Sequence, residues 1–174
     1  MIVLVTGASG SGKSEYAERV AAGFAGEHVY IATMHIDEST ETKDRIKKHQ
    51  CQRSGYDFIT IEKEKDIGEI TGIEGKNILI ECMSNLLSNE MFINNLSKNE
   101  SVKKIVSQIK DLAAVCPNMV IVTNEVFSDG CVYDKTVMDY IEALAEINKE
   151  LSGISDCVAE IVYSIPVYIK GQLI

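Results

Sequence analysis

The segment Gly7-Ala8-Ser9-Gly10-Ser11-Gly12-Lys13-Ser14, directly after the apolar run Met1–Thr6, constrains this chain more than any other feature. It has the form G-x-x-x-x-G-K-S, set between a strand pattern and a helix pattern. Glycines let successive backbone N–H groups turn toward one anion with no Cβ in the way. A helix beginning beside Gly12 aims its positive end at the same point. Lys13 then reaches the β- and γ-phosphates, and the Ser14 hydroxyl can coordinate Mg²⁺. The pattern therefore predicts nucleotide binding by Gly7, Ala8, Ser9, Gly10, Ser11, Gly12, Lys13 and Ser14. A glycine-rich turn that only happens to match lacks the strand before and the helix after. The loop alone does not separate a kinase from a GTPase, an ATPase or a nucleotidyl transferase.

Behind the loop, short β-branched runs alternate with longer helical patterns. Strands are predicted at Met1–Thr6, His28–Thr33, Asn77–Cys82, Asn118–Val126, Cys157–Ser164 and Val167–Ile169, with a short edge strand at Phe58–Glu62. Helices are predicted at Ser14–Phe24, Glu38–Arg53, Ser84 to Leu96, Glu100–Val115 and Lys135–Leu151. The Glu100–Val115 stripe comprises Val102, Ile105, Val106, Ile109, Leu112 and Ala113. The last helix carries Val137, Ile141, Leu144, Ala145 and Ile147. In the helix after Cys82, Leu86, Leu87, Met91 and Phe92 read as core or as an interface stripe, core being the commoner use. This alternation predicts an α/β, P-loop NTPase-like three-layer fold: a mostly parallel central sheet with helices on both faces. Neither of the two prolines, Pro117 and Pro166, opens a linker, and one nucleotide-binding domain is expected over 1–174.

Composition narrows the partners. Lys+Arg of 17 against Asp+Glu of 26 gives 17 − 26 = −9. A surface this acidic argues against a general nucleic-acid or anionic-membrane binder, which needs a cationic footprint. It is compatible with small anionic ligands in a local pocket. The cysteines Cys51, Cys82, Cys116, Cys131 and Cys157 form no C-x-x-C pair and read as thiols of a reducing, cytoplasmic compartment. No apolar run approaches the roughly 20 residues of a membrane span. Met1 leads straight into a strand pattern, which does not read as a signal peptide.

Two carboxylates follow strand patterns: Glu81 ends ILIE and Glu125 ends VIVTNE. Either can hold Mg²⁺ through water or act as base toward an acceptor hydroxyl; a carboxylate that only caps a strand in solvent is the plain alternative for each. Arg45, His49 and Arg53 recur every four residues and share one face of a helix. Guanidinium neighbours keep the His49 imidazole neutral, hence nucleophilic, and hold phosphate oxygens in a bidentate fork. A solvated basic face is the plain alternative. His28 and His35 have no such company.

In order and nearly end to end, these motifs resemble the bifunctional adenosylcobinamide kinase and adenosylcobinamide-phosphate guanylyltransferase family of cobalamin biosynthesis. The resemblance rests on VLVTGASGSGKS, on Tyr30-Ile31-Ala32-Thr33, and on R-I-x-x-H-x-x-x-R at Arg45 to Arg53. It also rests on Glu81-Cys82, on Val122-Thr123-Asn124-Glu125-Val126, on Asn148 and on Ile169-Lys170. It implies phosphorylation of the aminopropanol hydroxyl by a nucleoside triphosphate (ATP or GTP), then transfer of GMP from GTP through a GMP held covalently on His49. Lys13, His49 and Glu81 would be the catalytic residues. Nucleotide contacts would further include Ala32, Thr33, Gln50, Cys51, Gln52, Arg53 and Glu62, with Arg45 and Glu125 available to substrate or metal. The small-molecule partners would be a nucleoside triphosphate and a corrinoid, and the assembly a trimer. The guanine preference comes from the resemblance, since no N-K-x-D-type signal occurs.

The chain departs from that pattern locally. Ser54 stands where the family usually has Pro. The loop Phe127-Ser128-Asp129-Gly130-Cys131-Val132-Tyr133 is one residue longer and lacks the family's first Gly and its Pro. Residues such as Asp139, Glu142 and Glu146 occupy the stretch where the family usually has arginines. Two other readings fit the loop itself: a P-loop kinase or NTPase for another small molecule, and a nucleotide-binding regulatory module without catalysis.

Overall fold

Apolar strands with inward residues on both faces can be covered only from both sides, and the structure, a computed structural model, shows that arrangement. It describes residues 1–35, 56–131 and 133–173. The elements run β1 (Ile2–Thr6), α1 (Lys13–Ala22), β2 (His28–Ala32), β3 (Phe58–Glu62), β4 (Asn77–Ile80), α2 (Met83–Ser88), α3 (Lys98–Val115), β5 (Met119–Val122), α4 (Lys135–Ile154), β6 (Cys157–Val162) and β7 (Ile165–Lys170). The expected helix over Glu38–Arg53 lies outside the described residues. The sheet order is β3-β2-β4-β5-β1-β6-β7. All neighbours pair parallel except β6 and β7, which form an antiparallel hairpin. The expected α/β fold is the observed one, with β3 at one edge as predicted.

Alternate strand residues separate into two cores. Leu4, Val29, Ile31, Ile78, Ile80, Met119 and Ile121 pack toward α2, α3 and α4. Val3, Val5, Tyr30, Leu79, Val120 and Val122 pack toward Tyr16, Ala17 and Ala21 of α1. Burial on both faces explains why these strands read as continuous apolar runs. In α3, Val102, Ile105, Val106, Ile109 and Leu112 are buried as the spacing predicted. Ser97 and Glu100 form a capping box at its start, satisfying otherwise orphaned N–H groups. In α4 the buried stripe is Ala143, Leu144, Ile147 and Leu151, whereas Ala145 is exposed. At about 100° per residue, Ala143, Leu144, Ile147 and Leu151 fall within one sector of the helix, and Ala145 lies on the far side of it.

Several boundaries differ from expectation. β4 stops at Ile80 and β5 at Val122. Glu81-Cys82 and Thr123 to Val126 thus leave the ladder as connecting segments at the carboxyl edge of the sheet. The expected helix from Ser84 to Leu96 is α-helical only over Met83–Ser88, then widens into a π-turn over Asn89–Ile93. Its mark is the bond from Asn94 N–H to Asn89 C=O at 3.0 Å. Leu86 and Leu87 are buried in the core, Met91 packs against it, and Phe92 is exposed beside Tyr140. The strand expected to reach Ser164 ends at Val162 because Tyr163 and Ser164 turn the chain with φ of 50° and 64°. Two positive φ values match the twist of a two-residue hairpin, a turn usually made by Asn-Gly. No helix among the described residues is long and apolar enough to cross a membrane.

Candidate functional site

The loop after β1 is shaped by two close approaches. Gly7 has φ 152°, and a Cβ there would lie 2.7 Å from the Ile161 carbonyl oxygen. Gly12 has φ 90°, and its Cβ would lie 2.5 Å from Ser164 Oγ. Neither position admits a side chain without displacement. Ser164 N–H donates to Ser11 C=O at 2.8 Å, so the β6–β7 turn clamps the loop from behind. Inside the loop, Ser11 N–H donates to Ala8 C=O at 3.2 Å. Ala8, Ser9 and Gly10 are exposed, and α1 begins at Lys13. Lys13 Nζ donates to Ala8 C=O at 3.0 Å, folding its cation over the loop. Burial holds the Lys13 ammonium below the usual lysine range, with neighbouring Cys82 acting the other way. The result is a glycine-shaped loop with exposed backbone at Ala8 to Gly10, one cation folded over it and Ser14 in the first turn of α1.

β1 leads into α1 on one face of the sheet and β5 into α4 on the other. The two neighbouring strands thus send the chain to opposite faces and in opposite directions along the sheet, which in open α/β sheets marks the ligand crevice at the carboxyl ends. Glu125 N–H donates to Gly7 C=O at 3.1 Å, joining the segment after β5 to the glycine-rich loop. Its carboxylate, however, accepts from Phe127 N–H and Ser128 Oγ, both at 2.8 Å, and so closes its own loop. Glu81 behaves differently: one carboxylate oxygen accepts from Thr33 N–H at 3.2 Å. Between the two acids, Asn124 Nδ2 donates to Ser84 Oγ and, at 3.5 Å, to Cys82 Sγ. Ser84 Oγ lies 3.1 Å from Cys82 Sγ, and Ser84 C=O accepts from Tyr140 OH at 3.1 Å. Burial pushes the Tyr140 phenol up to about 12, so it stays a donor near neutrality. Thr123 Oγ1 donates to Asn148 Oδ1 at 2.7 Å, which gives the α4 asparagine a holding role.

Farther along the edge, Ala32 and Thr33 are buried, and Thr33 Oγ1 donates to Cys82 C=O at 2.9 Å. Glu62 ends β3 beside a cleft of about 490 Å³ lined by Met34, Glu62, Lys63, Glu64, Lys65, Asp66 and Glu69. His28 Nε2 lies 2.9 Å from Phe24 C=O, and His35 Nδ1 lies 2.5 Å from Glu64. Arg45, His49, Gln50, Cys51, Gln52 and Arg53 lie outside the described residues. The structure thus gathers the loop, Glu81, Glu125 and Thr33 on one rim of the sheet, with Glu62 at its far end. Sequence reasoning missed Ser84, Tyr140 and the clamp at Ser164 as neighbours of that rim. The hydroxyl and phenol carried no pattern of their own, and a turn without glycine gave no hairpin signal.

Two acidic residues of α4 are paired with lysines. Asp139 pairs with Lys135 at 2.6 Å and Glu142 with Lys98 at 2.7 Å. In the loop before α4, Asp129 accepts from Cys131 N–H at 3.0 Å and from Tyr133 OH at 2.5 Å. Those bonds hold the Asp129 carboxyl below its usual range and push the Tyr133 phenol up to about 12. Asp134 caps α4 by accepting from Thr136 N–H and Val137 N–H.

Two relatives match almost the whole chain. The bifunctional adenosylcobalamin biosynthesis protein CobU of Escherichia coli (strain K12) is 27% identical over 184 residues, covering 98% of this chain and 100% of that protein. Its namesake from Salmonella typhimurium is 28% identical over the same span, with the same coverage. Among solved structures, a protein of Pyrococcus horikoshii OT3 shares the fold with a TM-score of 0.56 at 10% identity, covering 99% of this chain and 87% of that one. Residues 3–169 match the family described as cobinamide kinase / cobinamide phosphate guanyltransferase, and the chain belongs to that family.

Proposed function

We propose that this chain, acting as one nucleotide-handling domain over 1–174, phosphorylates adenosylcobinamide with a nucleoside triphosphate and then transfers GMP from GTP to the product. The observation that carries the reading is the glycine-rich loop with Lys13 beside the segment Asn124-Glu125, whose Asn124 joins Ser84 and Cys82, with Glu81 at the carboxyl end of the next strand over, in a chain of this family. The loop binds the triphosphate through backbone N–H groups and Lys13, countering charge that moves onto the leaving phosphates. Hard oxygen donors suit Mg²⁺, and the Ser14 hydroxyl is one that would hold it beside the phosphates. When bound, Mg²⁺ would supply charge neutralisation on the phosphates.

In the kinase step, the acceptor hydroxyl oxygen attacks the γ-phosphorus, the nucleoside diphosphate leaves, and the hydroxyl proton passes to a carboxylate. We assign that base to Glu81, because Glu125 is engaged with its own loop. In the second step, the His49 imidazole attacks the α-phosphorus of GTP and pyrophosphate leaves. The phosphate of the corrinoid then displaces the imidazole, releasing adenosylcobinamide-GDP. Ala32, Thr33, Gln50 to Arg53 and Glu62 belong to the nucleotide surface in this proposal, with Arg45 available to the phosphates.

The test is covalent labelling. With Mg²⁺ and GTP carrying label at the α-phosphate, acid-labile, base-stable label should appear on the wild-type chain and vanish in His49→Ala. An unlabelled wild type sinks the guanylyl transfer. A parallel incubation with γ-labelled ATP or GTP and adenosylcobinamide should label the corrinoid, and no transfer would remove the kinase half.

A further inference from the structure

Two polar residues sit where the helix after β4 should be most apolar. In Leu86-Leu87-Ser88-Asn89-Glu90-Met91, Asn89 is 5% exposed and Glu90 is fully buried. Burying such groups is costly unless each finds partners. Asn89 Nδ2 donates to Thr33 C=O and to Glu64 C=O, both at 2.9 Å. Glu90 accepts from Asp66 N–H at 2.9 Å, from Asn94 Nδ2 at 2.7 Å and from Lys104 Nζ at 2.7 Å. Lys104 also pairs with Asp66, whose φ is 53°. Both residues open the π-turn Asn89–Ile93, from which successive side chains reach two loops.

The two loops are those of the rim. Thr33 follows β2 and is tied to Glu81 and Cys82. Glu64 and Asp66 follow β3 and form the wall of the cleft beside Glu62. We infer that Asn89 and Glu90 are positioning residues: through the π-turn they lock the segments after β2 and β3 at the spacing needed to hold the nucleoside end of the triphosphate. This rests on the proposed nucleotide surface at Thr33 and Glu62. Neither residue is required to touch the ligand, so removing either should loosen binding without deleting a contact.

The experiment measures GTP affinity by calorimetry with Mg²⁺ in the full chain. Asn89→Asp keeps the shape but replaces both donors with a carboxylate facing two carbonyls, and should weaken GTP about tenfold or more. Asn89→Ser, which is too short to reach either carbonyl, should do the same. Glu90→Gln keeps one acceptor oxygen, which can still serve the Asp66 N–H, and puts an amide N–H₂ where Asn94 and Lys104 donate, and about threefold weakening is expected from this partial loss of the clasp. Amide exchange should accelerate at residues 33–35 and 62–66 in each variant. Leu151→Ala, a core truncation near the end of α4 and the start of β6, at the sheet edge opposite the rim, controls for stability and should lower Tm with affinity unchanged. If the Asn89 variants bind GTP as the wild type does, or if Leu151→Ala weakens binding as much, the positioning role is overturned. Should neither Asn89 variant fold, unchanged affinity in Glu90→Gln overturns it. A wild type that fails to bind GTP overturns the proposed function and this inference together; a binding wild type with unaffected variants overturns only the inference.

Discussion

Two loops leave neighbouring strands at the same crevice and are built in opposite ways. The loop after β1 is held from outside: Ile161 and Ser164 crowd its glycines, and its exposed backbone faces the crevice. The loop after β5 is held from inside, by Glu125, Asp129 and Asp134 accepting from their own neighbouring N–H and O–H groups. A loop whose backbone must stay available to a ligand needs a buttress from elsewhere in the fold. A loop that satisfies itself can change length and sequence without disturbing the sheet. That is why the first reads as an unmistakable motif, and why the second has room to vary.

The sharpest way to break this comparison is to fill the buttressed loop. Gly12→Ala meets a left-handed φ and the Ser164 side chain at once. It should reduce GTP affinity by about two orders of magnitude and cost about 2 kcal/mol of stability; calorimetric binding and thermal melting read both. A variant that binds normally would show that the close approach is irrelevant. Next come the two acids. Glu81→Gln should slow corrinoid phosphorylation by about two orders of magnitude, as loss of a general base does. Glu125→Gln keeps the oxygen that closes its loop and should stay within about threefold of the wild type. If steady-state rates come out the other way round, the two carboxylates exchange roles.

A smaller effect tests the buttress itself. Ser164→Gly relieves a left-handed residue while keeping the N–H that holds Ser11, and should raise stability by about 0.5–1 kcal/mol with phosphate binding retained. Destabilisation in a melting curve would mean that the Ser164 side chain is the true support. The mildest change concerns the self-satisfied loop. Asp129→Asn removes the anion that raises the Tyr133 phenol, whose titration should fall from about 12 toward the ordinary 10.0. An unmoved ultraviolet titration would show that Asp129 does not hold Tyr133.

Much of the architecture was legible because burial on two faces writes itself as unbroken apolar runs, as at Val3-Leu4-Val5 and Ile78-Leu79-Ile80. The α3 stripe was legible because one covered face repeats at helical spacing. The strand ends were not. Glu81 and Glu125 look like strand residues in the sequence, but they lie just past the strand ends: Glu81 N–H still donates to Ile31 C=O of β2 and Glu125 N–H to Gly7 C=O, both at 3.1 Å, while their carboxylates answer to loop contacts. The π-turn was hidden for a related reason: Asn89 and Glu90 are ordinary helix-surface residues until a distant pair of loops gives them partners. Part of the candidate site, from Arg45 to Arg53, rests on its motif alone.

The clamp at Ser164 also sets an order of events. β1 lies between β5 and β6, so both ladders that fix the first strand come from the last third of the chain. During synthesis, β1 leaves the ribosome before either of these partners and must wait for both before its loop takes shape. Closing such long spans is slow, and strands without neighbours are prone to stray pairing meanwhile. A nascent chain that has not yet delivered Cys157 to Lys170 should carry the complete G-x-x-x-x-G-K-S motif and still be unable to grip a phosphate.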